Sequence, residues 1–290
     1  MEIKKYIDLE FEKMLDSLDR LIRIPSIGGG AEGDAPFGKA ALKALEEVLN
    51  IAASMGFSVR NFENRVGIID LFAGTEPAIG ILCHADVVPA GGNWIHDPYR
   101  ATLDGENIYG RGAIDDKGPL ISVLYAMKYL KEHCPRTKHN VRLIVGTDEE
   151  RGSQDLAYYR EREKLPPIVF TPDANYPVIN TEKGRAVVSF GKQIVSSFSN
   201  KKILSASGGA AVNAVPERAS AVVSGFTMED FRRAEADSPS GIRYDFTMRE
   251  DGISEISACG KSAHASLPET GANAVTGLIS FLSHLDPAWG

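Results

Sequence analysis

The run Ala78-Ile79-Gly80-Ile81-Leu82-Cys83 is apolar, too short for a helix of ordinary length, and ends at His84 and Asp86. Such a run reads as a buried strand with a functional end. The pattern recurs downstream. Val141 to Val145 leads into Thr147-Asp148-Glu149-Glu150, and Ile168 to Phe170 leads to Asp173. Between these runs Leu120, Val123, Met127 and Leu130 recur with helical spacing, so the loop GRGAIDDKG, which carries Asp115 and Asp116, feeds directly into a helix. Strands separated by helices specify an α/β sheet, and ligands of open α/β sheets gather beyond the carboxyl ends of the strands. The polar clusters all fall there.

Upstream, Ile7, Phe11, Leu15 and Leu18 lie on one face of an amphipathic helix that runs to about Ile24 and is stopped by Pro25. Gly28 to Gly38 reads as a loop, Gly38 to Met55 as a second helix, and the runs near Val59 and from Val66 to Phe72 as strands. After Gly184 the sequence turns to alternating Ser, Ala and Val, in AVVSF and SAVVSGF, followed by a helix near Asn273 to Leu285. Two domains are therefore expected, at 1–184 and 185–290, the second of α+β type.

Composition excludes some functions. With 43% hydrophobic and 24% charged residues the chain has the make-up of a soluble globular protein, and its formal charge of −7 disfavours nucleic acid and anionic membranes as partners. No run approaches the roughly 20 apolar residues that span a bilayer, and the N-terminus lacks the apolar core of a signal peptide. Three cysteines cannot all pair and are read as reduced. A cytoplasmic location is the expectation.

Histidine and carboxylates at strand ends are the donors of a hydrolytic metal site. Each has a plainer reading. His84 with Asp86 fits a satisfied core histidine equally well, Asp115 and Asp116 would also neutralise a helix N-terminus, Glu149 and Glu150 would serve as solvated helix-start acids, and Asp173 would begin a turn beside Pro172. Their placement at four separate strand or loop ends favours convergence on a cation. Burying Glu149 beside Glu150 is costly unless a cation compensates or one of them is protonated. The glycines near Gly28 and in GRG lack the spacing of a phosphate loop, and no G-x-S-x-G elbow occurs.

The segments GILCHADVVPAGGNW, DGENIYGRGAIDDKGPL, VGTDEERGS, TPDANYP, ASGGAAVNAVPERA and GKSAHASLPETGANA together resemble the co-catalytic dinuclear zinc exopeptidases, which include aminoacylases, carboxypeptidase G-type enzymes and dipeptidases. The wording of the second to fourth segments, with aspartate at 173, is most similar to the V-type, carnosinase-like dipeptidase branch. The resemblance covers nearly the whole chain. It implies a zinc-exopeptidase-like catalytic domain with a central mixed sheet flanked by helices, plus an inserted α+β lid domain.

By that resemblance Asp115 bridges two zinc ions, for which cobalt or manganese would substitute, with His84 and Asp173 on one ion and Glu150 on the other. Glu149 is the general base, Asp86 clamps His84, and His264 stabilises the oxyanion. Asn213 and His264 contact the substrate, a small peptide. The peptide bond between Asp115 and Asp116 is expected to be cis. The second ion normally takes a histidine from a catalytic segment that follows the lid, whereas this chain ends at HLDPAWG. A fragment or truncated product is expected, with an incomplete lid, one ion short of a ligand, exposed apolar surface and little turnover of its own. His96, His133, His139 and His284 match no ligand motif and are read as structural or surface residues. The implied function is metal-dependent hydrolysis of dipeptides by a metallopeptidase, either a monomer with an enlarged lid or a lid-mediated homodimer. The alternatives are N-acyl or N-succinyl amino-acid hydrolysis and a non-catalytic peptide-binding module.

Overall fold

A computed structural model of the chain describes residues 1–91, 94–134, 139–174, 176–181, 183–184, 186–189, 200–210, 212 and 214–285, with His264 described by its backbone. The chain divides into two compact units, Met1–Asn180 and Thr181–Gly290.

The first unit opens with α1 (Ile3–Ile22) and α2 (Lys39–Ser54), then β1 (Ser58–Phe62), β2 (Val66–Asp70) and β3 (Pro77–His84). A short hairpin of β4 (Thr102–Asp104) and β5 (Asn107–Tyr109) precedes α3 (Lys117–His133). It closes with β6 (Asn140–Gly146), α4 (Gln154–Arg160) and β7 (Ile168–Phe170). The sheet order is β1-β2-β6-β3-β7. β1, β2 and β6 pair antiparallel, while β3 runs parallel to both β6 and β7. This is a mixed sheet, as the family resemblance implies.

Burial explains the elements. In α2 the residues Ala41, Ala44, Leu45, Val48, Leu49 and Ala52 are buried, a stripe at helical spacing. All but Ala41 join Leu21, Ile22, Ile69, Leu71, Leu120, Leu124, Leu143 and Val145 in one core, where each large side chain contributes roughly 1.5–3 kcal/mol. Cross-strand pairing adds Arg142 to Asp70, whose two hydrogen bonds are both 2.9 Å.

The face predicted for α1 is corrected. Tyr6, Ser17, Leu18, Leu21 and Ile22 are the buried residues, and Ile7 is 44% exposed. The rotation follows from Tyr6, whose ring meets Tyr129 and His133 and whose hydroxyl donates to the carbonyl of Tyr125. Phe11 and Leu15 instead line a cavity of about 250 Å³ against Ile121 of α3.

In the second unit β8 (Lys202–Gly208), β10 (Arg218–Ser224), β11 (Arg243–Met248) and β12 (Ile253–Cys259) form an antiparallel sheet in the order β11-β12-β10-β8. Its core joins Ala221, Val223 and Ile256 of the sheet to Phe231 of α5 (Met228–Ala236) and Leu278 and Phe281 of α6 (Ala274–Leu285). Thr227 and Asp230 close a reciprocal capping box at the start of α5. A small ladder pairs β9 (Ala214–Val215) with β13 (Ala263–His264). The AVVSF run gives no strand over 186–189, and Val187 and Val188 are 66% and 65% exposed. Among the described residues nothing pairs with 186–189 in a ladder.

Among the described residues no helix is long and apolar enough to cross a membrane. Cys83, Cys134 and Cys259 are free thiols.

Candidate metal centre

His84 is the last residue of β3 and is 2% exposed. Because β3, β6 and β7 run parallel, their carboxyl ends lie together, and the segments that leave them carry the polar residues singled out in the sequence. His84 Nε2 lies 2.9 Å from Asp115 Oδ1 and 3.4 Å from Asp173 Oδ2. One ligand atom from each of the three residues falls within a sphere of contacts no wider than 4.8 Å. On the other side of the ring, Nδ1 lies 3.0 Å from the carbonyl oxygen of Asp86 and 3.3 Å from its carboxylate. Burial opposes a charge on this imidazole, but hydrogen bonds that its N–H groups donate to Asp115, Asp173 and Asp86 outweigh it and raise the pKa far above the ordinary histidine value.

Two carboxylate oxygens facing a single ring nitrogen exceed what one N–H can serve. One imidazole nitrogen and two carboxylates are donors that zinc and neighbouring first-row ions accept, and the contacts at Nδ1 direct Nε2 toward the carboxylates. The residues present therefore fit a divalent ion held by His84, Asp115 and Asp173.

The Asp115–Asp116 peptide is cis, as the family resemblance implies. Asp116 is fully buried at the N-terminus of α3, yet its carboxylate does not cap the helix. Oδ2 accepts a hydrogen bond from the backbone N–H of His84 at 3.0 Å, and Oδ1 has no hydrogen-bond partner among the described residues. Burial pushes the Asp116 carboxyl up to about 7, against the pull of His84.

Glu149 and Glu150 lie in a single 3-10 turn, Glu149–Arg151, immediately beyond β6. Asp86 is fully buried and its carboxylate accepts from the backbone N–H of both, at 3.3 and 3.1 Å. Glu150 is half-buried and is pushed up to about 7 by burial and by the charge of Asp115. Glu149 faces solvent on the turn but is ringed by protein atoms, and this desolvation, opposed by His84 and reinforced by Asp173, raises its carboxyl. Glu150 is not part of the group formed by His84, Asp115 and Asp173.

Behind the turn sits Asp155, fully buried at the start of α4. Its Oδ2 accepts from the N–H groups of Thr147 and Asp148 at 2.5 and 3.2 Å. A Cβ at position 146 would lie 2.6 Å from that oxygen, so Gly146 is required where β6 meets the turn. Lys117, the first residue of α3, is also fully buried, and its Nζ donates to the carbonyls of Leu21 and Ile24 at 2.9 and 2.8 Å. Burial lowers its pKa to about 7, against the charge of Asp86. Sequence reasoning missed both residues; the one signal was a glycine followed by TDEE with an acid at the next helix start.

Of the remaining residues, His264 belongs to the second unit, where its backbone pairs with Ala214. Its side chain and Asn213 lie outside the described residues, although Asn213 directly precedes that paired alanine. His96 approaches Asp104 at 3.4 Å and packs on Tyr109, and His133 stacks on Tyr129, which are structural contacts.

A mixed α/β sheet with a histidine and carboxylate cluster beyond its parallel strand ends defines a candidate metal-binding hydrolase fold. The profile of peptidase family M20/M25/M40 matches residues 80–273, and the chain belongs to that family. It is 34% identical over 286 residues to the beta-Ala-Xaa dipeptidase of Lactobacillus delbrueckii subsp. lactis, covering 97% of this chain and 61% of that relative. The chain thus spans about three fifths of the length of that relative. Its fold is similar to that of the dipeptidase Dug1p from Saccharomyces cerevisiae, with a TM-score of 0.50 at 15% identity, covering 82% of this chain and 52% of the other.

Proposed function

We propose that the protein containing this chain is a metal-dependent dipeptidase, with residues 1–184 as its metal-binding portion and 185–290 as part of a lid that contacts substrate. The observation that carries the reading is the convergence of His84, Asp115 and Asp173 beyond parallel strand ends in a chain of this peptidase family. The likeness to a beta-Ala-Xaa dipeptidase supports dipeptides over N-acyl amino acids.

His84, Asp115 and Asp173 would hold one divalent ion, read as zinc, with Asp115 and Glu150 offering ligands to a second; such ions supply Lewis acidity toward a carbonyl and lower the pKa of water. Asp86 fixes the imidazole so that Nε2 faces the carboxylates. Glu149 takes the proton from the attacking water and delivers it to the departing amine, a role suited to a carboxyl raised above its ordinary range. From the second unit, His264 would donate to the carbonyl oxygen as it gains charge, and Asn213 would contact the substrate.

The test is hydrolysis by the longer parent protein of unblocked dipeptides and of N-acyl amino acids. Turnover of the dipeptides, lost by at least about 100-fold in Glu149→Gln, is expected. Turnover confined to N-acyl substrates would assign the parent to amidohydrolysis instead, and undiminished activity in Glu149→Gln would remove the general base.

A further inference from the structure

We propose that Lys117 is a positioning residue for the candidate metal site, holding Asp115 in place by tying the loop that carries it to the end of α1. The proposal rests on the reading of His84, Asp115 and Asp173 as metal ligands.

Asp115 itself is half-exposed, with its side chain 50% accessible, and the preceding loop contains Gly110 and Gly112. Its placement comes from its two successors, both fully buried. Asp116 reaches sideways to the N–H of His84. Lys117 reaches in another direction, to the carbonyls of Leu21 in the last turn of α1 and Ile24 just beyond it, which also accept from the backbone N–H groups of Ile24 and Ser26. An ammonium or amine there complements the negative end of the helix.

The lysine stem also fills the inside of the loop. Gly112 has φ +88°, and a Cβ there would come within 3.0 Å of Lys117 Cδ, so the loop closes directly over the side chain. The end of α1 is in turn fastened to the strand that carries His84. Ser26 Oγ donates to the carbonyl of Ala85 at 2.6 Å, and the N–H of Val87 donates to the carbonyl of Ser26 at 3.1 Å. The connections form a closed circuit: His84 to Asp116, along the chain to Lys117, across to Ile24, along to Ser26, and back to Ala85. Lys117 supplies the one link in that circuit made by a long side chain, and its removal opens the circuit at the residue next but one to Asp115.

The experiment uses Co²⁺ as the probe, titrated into the 290-residue chain and followed by its visible absorption band. Lys117→Met removes both hydrogen bonds, and Lys117→Gln keeps one donor within the same pocket. Leu45→Ala, in the core of the same unit and fully buried, serves as the control for loss of stability alone. The expected result is a Co²⁺ affinity lowered about 10- to 100-fold in Lys117→Met and less in Lys117→Gln, with an altered band, while Leu45→Ala binds like the unmodified chain.

Wild-type affinity and band in both lysine variants would overturn the positioning role while leaving the metal site intact. An equal loss in Leu45→Ala would overturn it as well, and so would loss of cooperative unfolding in both lysine variants, which would make Lys117 a residue of the fold. Absence of Co²⁺ binding by the unmodified chain would instead remove the metal-site reading on which the proposal stands.

Discussion

The carboxylate of Asp86 accepts a hydrogen bond from the backbone N–H of Glu150 at 3.1 Å while its other oxygen lies 3.3 Å from the imidazole of His84. One buried side chain thus sets both the ring of a candidate ligand and the turn that presents the two glutamates.

Replacing it separates those roles from solvent-exposed chemistry. Asp86→Ala leaves the part-buried N–H groups of Glu149 and Glu150 without their acceptor and removes the carboxylate from His84 Nδ1, which keeps the carbonyl of residue 86, and is expected to destabilise the chain by about 1–3 kcal/mol. Asp86→Asn retains one acceptor and is expected to cost less than half as much. Urea denaturation of the metal-free chain measures both, and equal stability of all three proteins would contradict the arrangement.

Gly146 and Asp155 form a second support for the same turn. Gly146→Ala places a methyl 2.6 Å from Asp155 Oδ2, so either the carboxylate or the turn must move. A loss of about 1–3 kcal/mol is expected. In Asp155→Ala the obstruction is gone, so adding Gly146→Ala on that background costs less than it does alone. A double-mutant cycle in urea reads this coupling, and strict additivity would refute it.

Metal binding by the first unit must displace a proton from His84, whose neighbours hold its pKa far above the ordinary value. Affinity for Co²⁺ or Zn²⁺ is therefore expected to fall as pH falls, approaching tenfold per pH unit. Calorimetric titration in two buffers of different ionisation enthalpy counts the released protons. At free metal near 100 times Kd the unfolding free energy should rise by about 2.7 kcal/mol.

The second unit has its own pH signature. The backbone N–H of Thr227, working against partial burial and aided by Lys201, holds the Asp230 carboxyl down to about 2. A folded-state value below the unfolded one stabilises above about pH 4, and that contribution is lost as pH falls from there toward 2. Asp230→Ala is expected to cost roughly 1–2 kcal/mol at pH 7, after allowance for solvent screening, and almost nothing near pH 2. Denaturation curves at the two pH values test it.

Much of this site is written locally. An apolar run cut off by His84, another cut off by the TDEE segment, and a third leading to Asp173 specify β3, β6 and β7, and strand-helix alternation is what makes their ends meet. The cis bond at Asp115–Asp116 came from family resemblance, since no property of two aspartates signals it. Lys117 was illegible because its acceptors stand 96 and 93 residues earlier in the chain, and a lysine at a helix start ordinarily faces water. The face of α1 misled for a related reason. Tyr6 is chosen over Ile7 by partners in α3, which periodicity within one helix does not contain. Likewise Asp86 was expected to serve the imidazole alone, whereas its carboxylate is shared with a turn more than sixty residues away.

β3 is enclosed on both sides, by β6 with His84 opposite Gly146 and by β7 with Ile81 opposite Phe170. Successive side chains of a strand project to opposite faces, so a slip of one residue would turn the imidazole away and offer the thiol of Cys83 or the methyl of Ala85 in its place. Alignment errors in the middle of this sheet are therefore chemical errors too. A misthreaded molecule would be recognisable by its failure to take up metal, whatever its compactness.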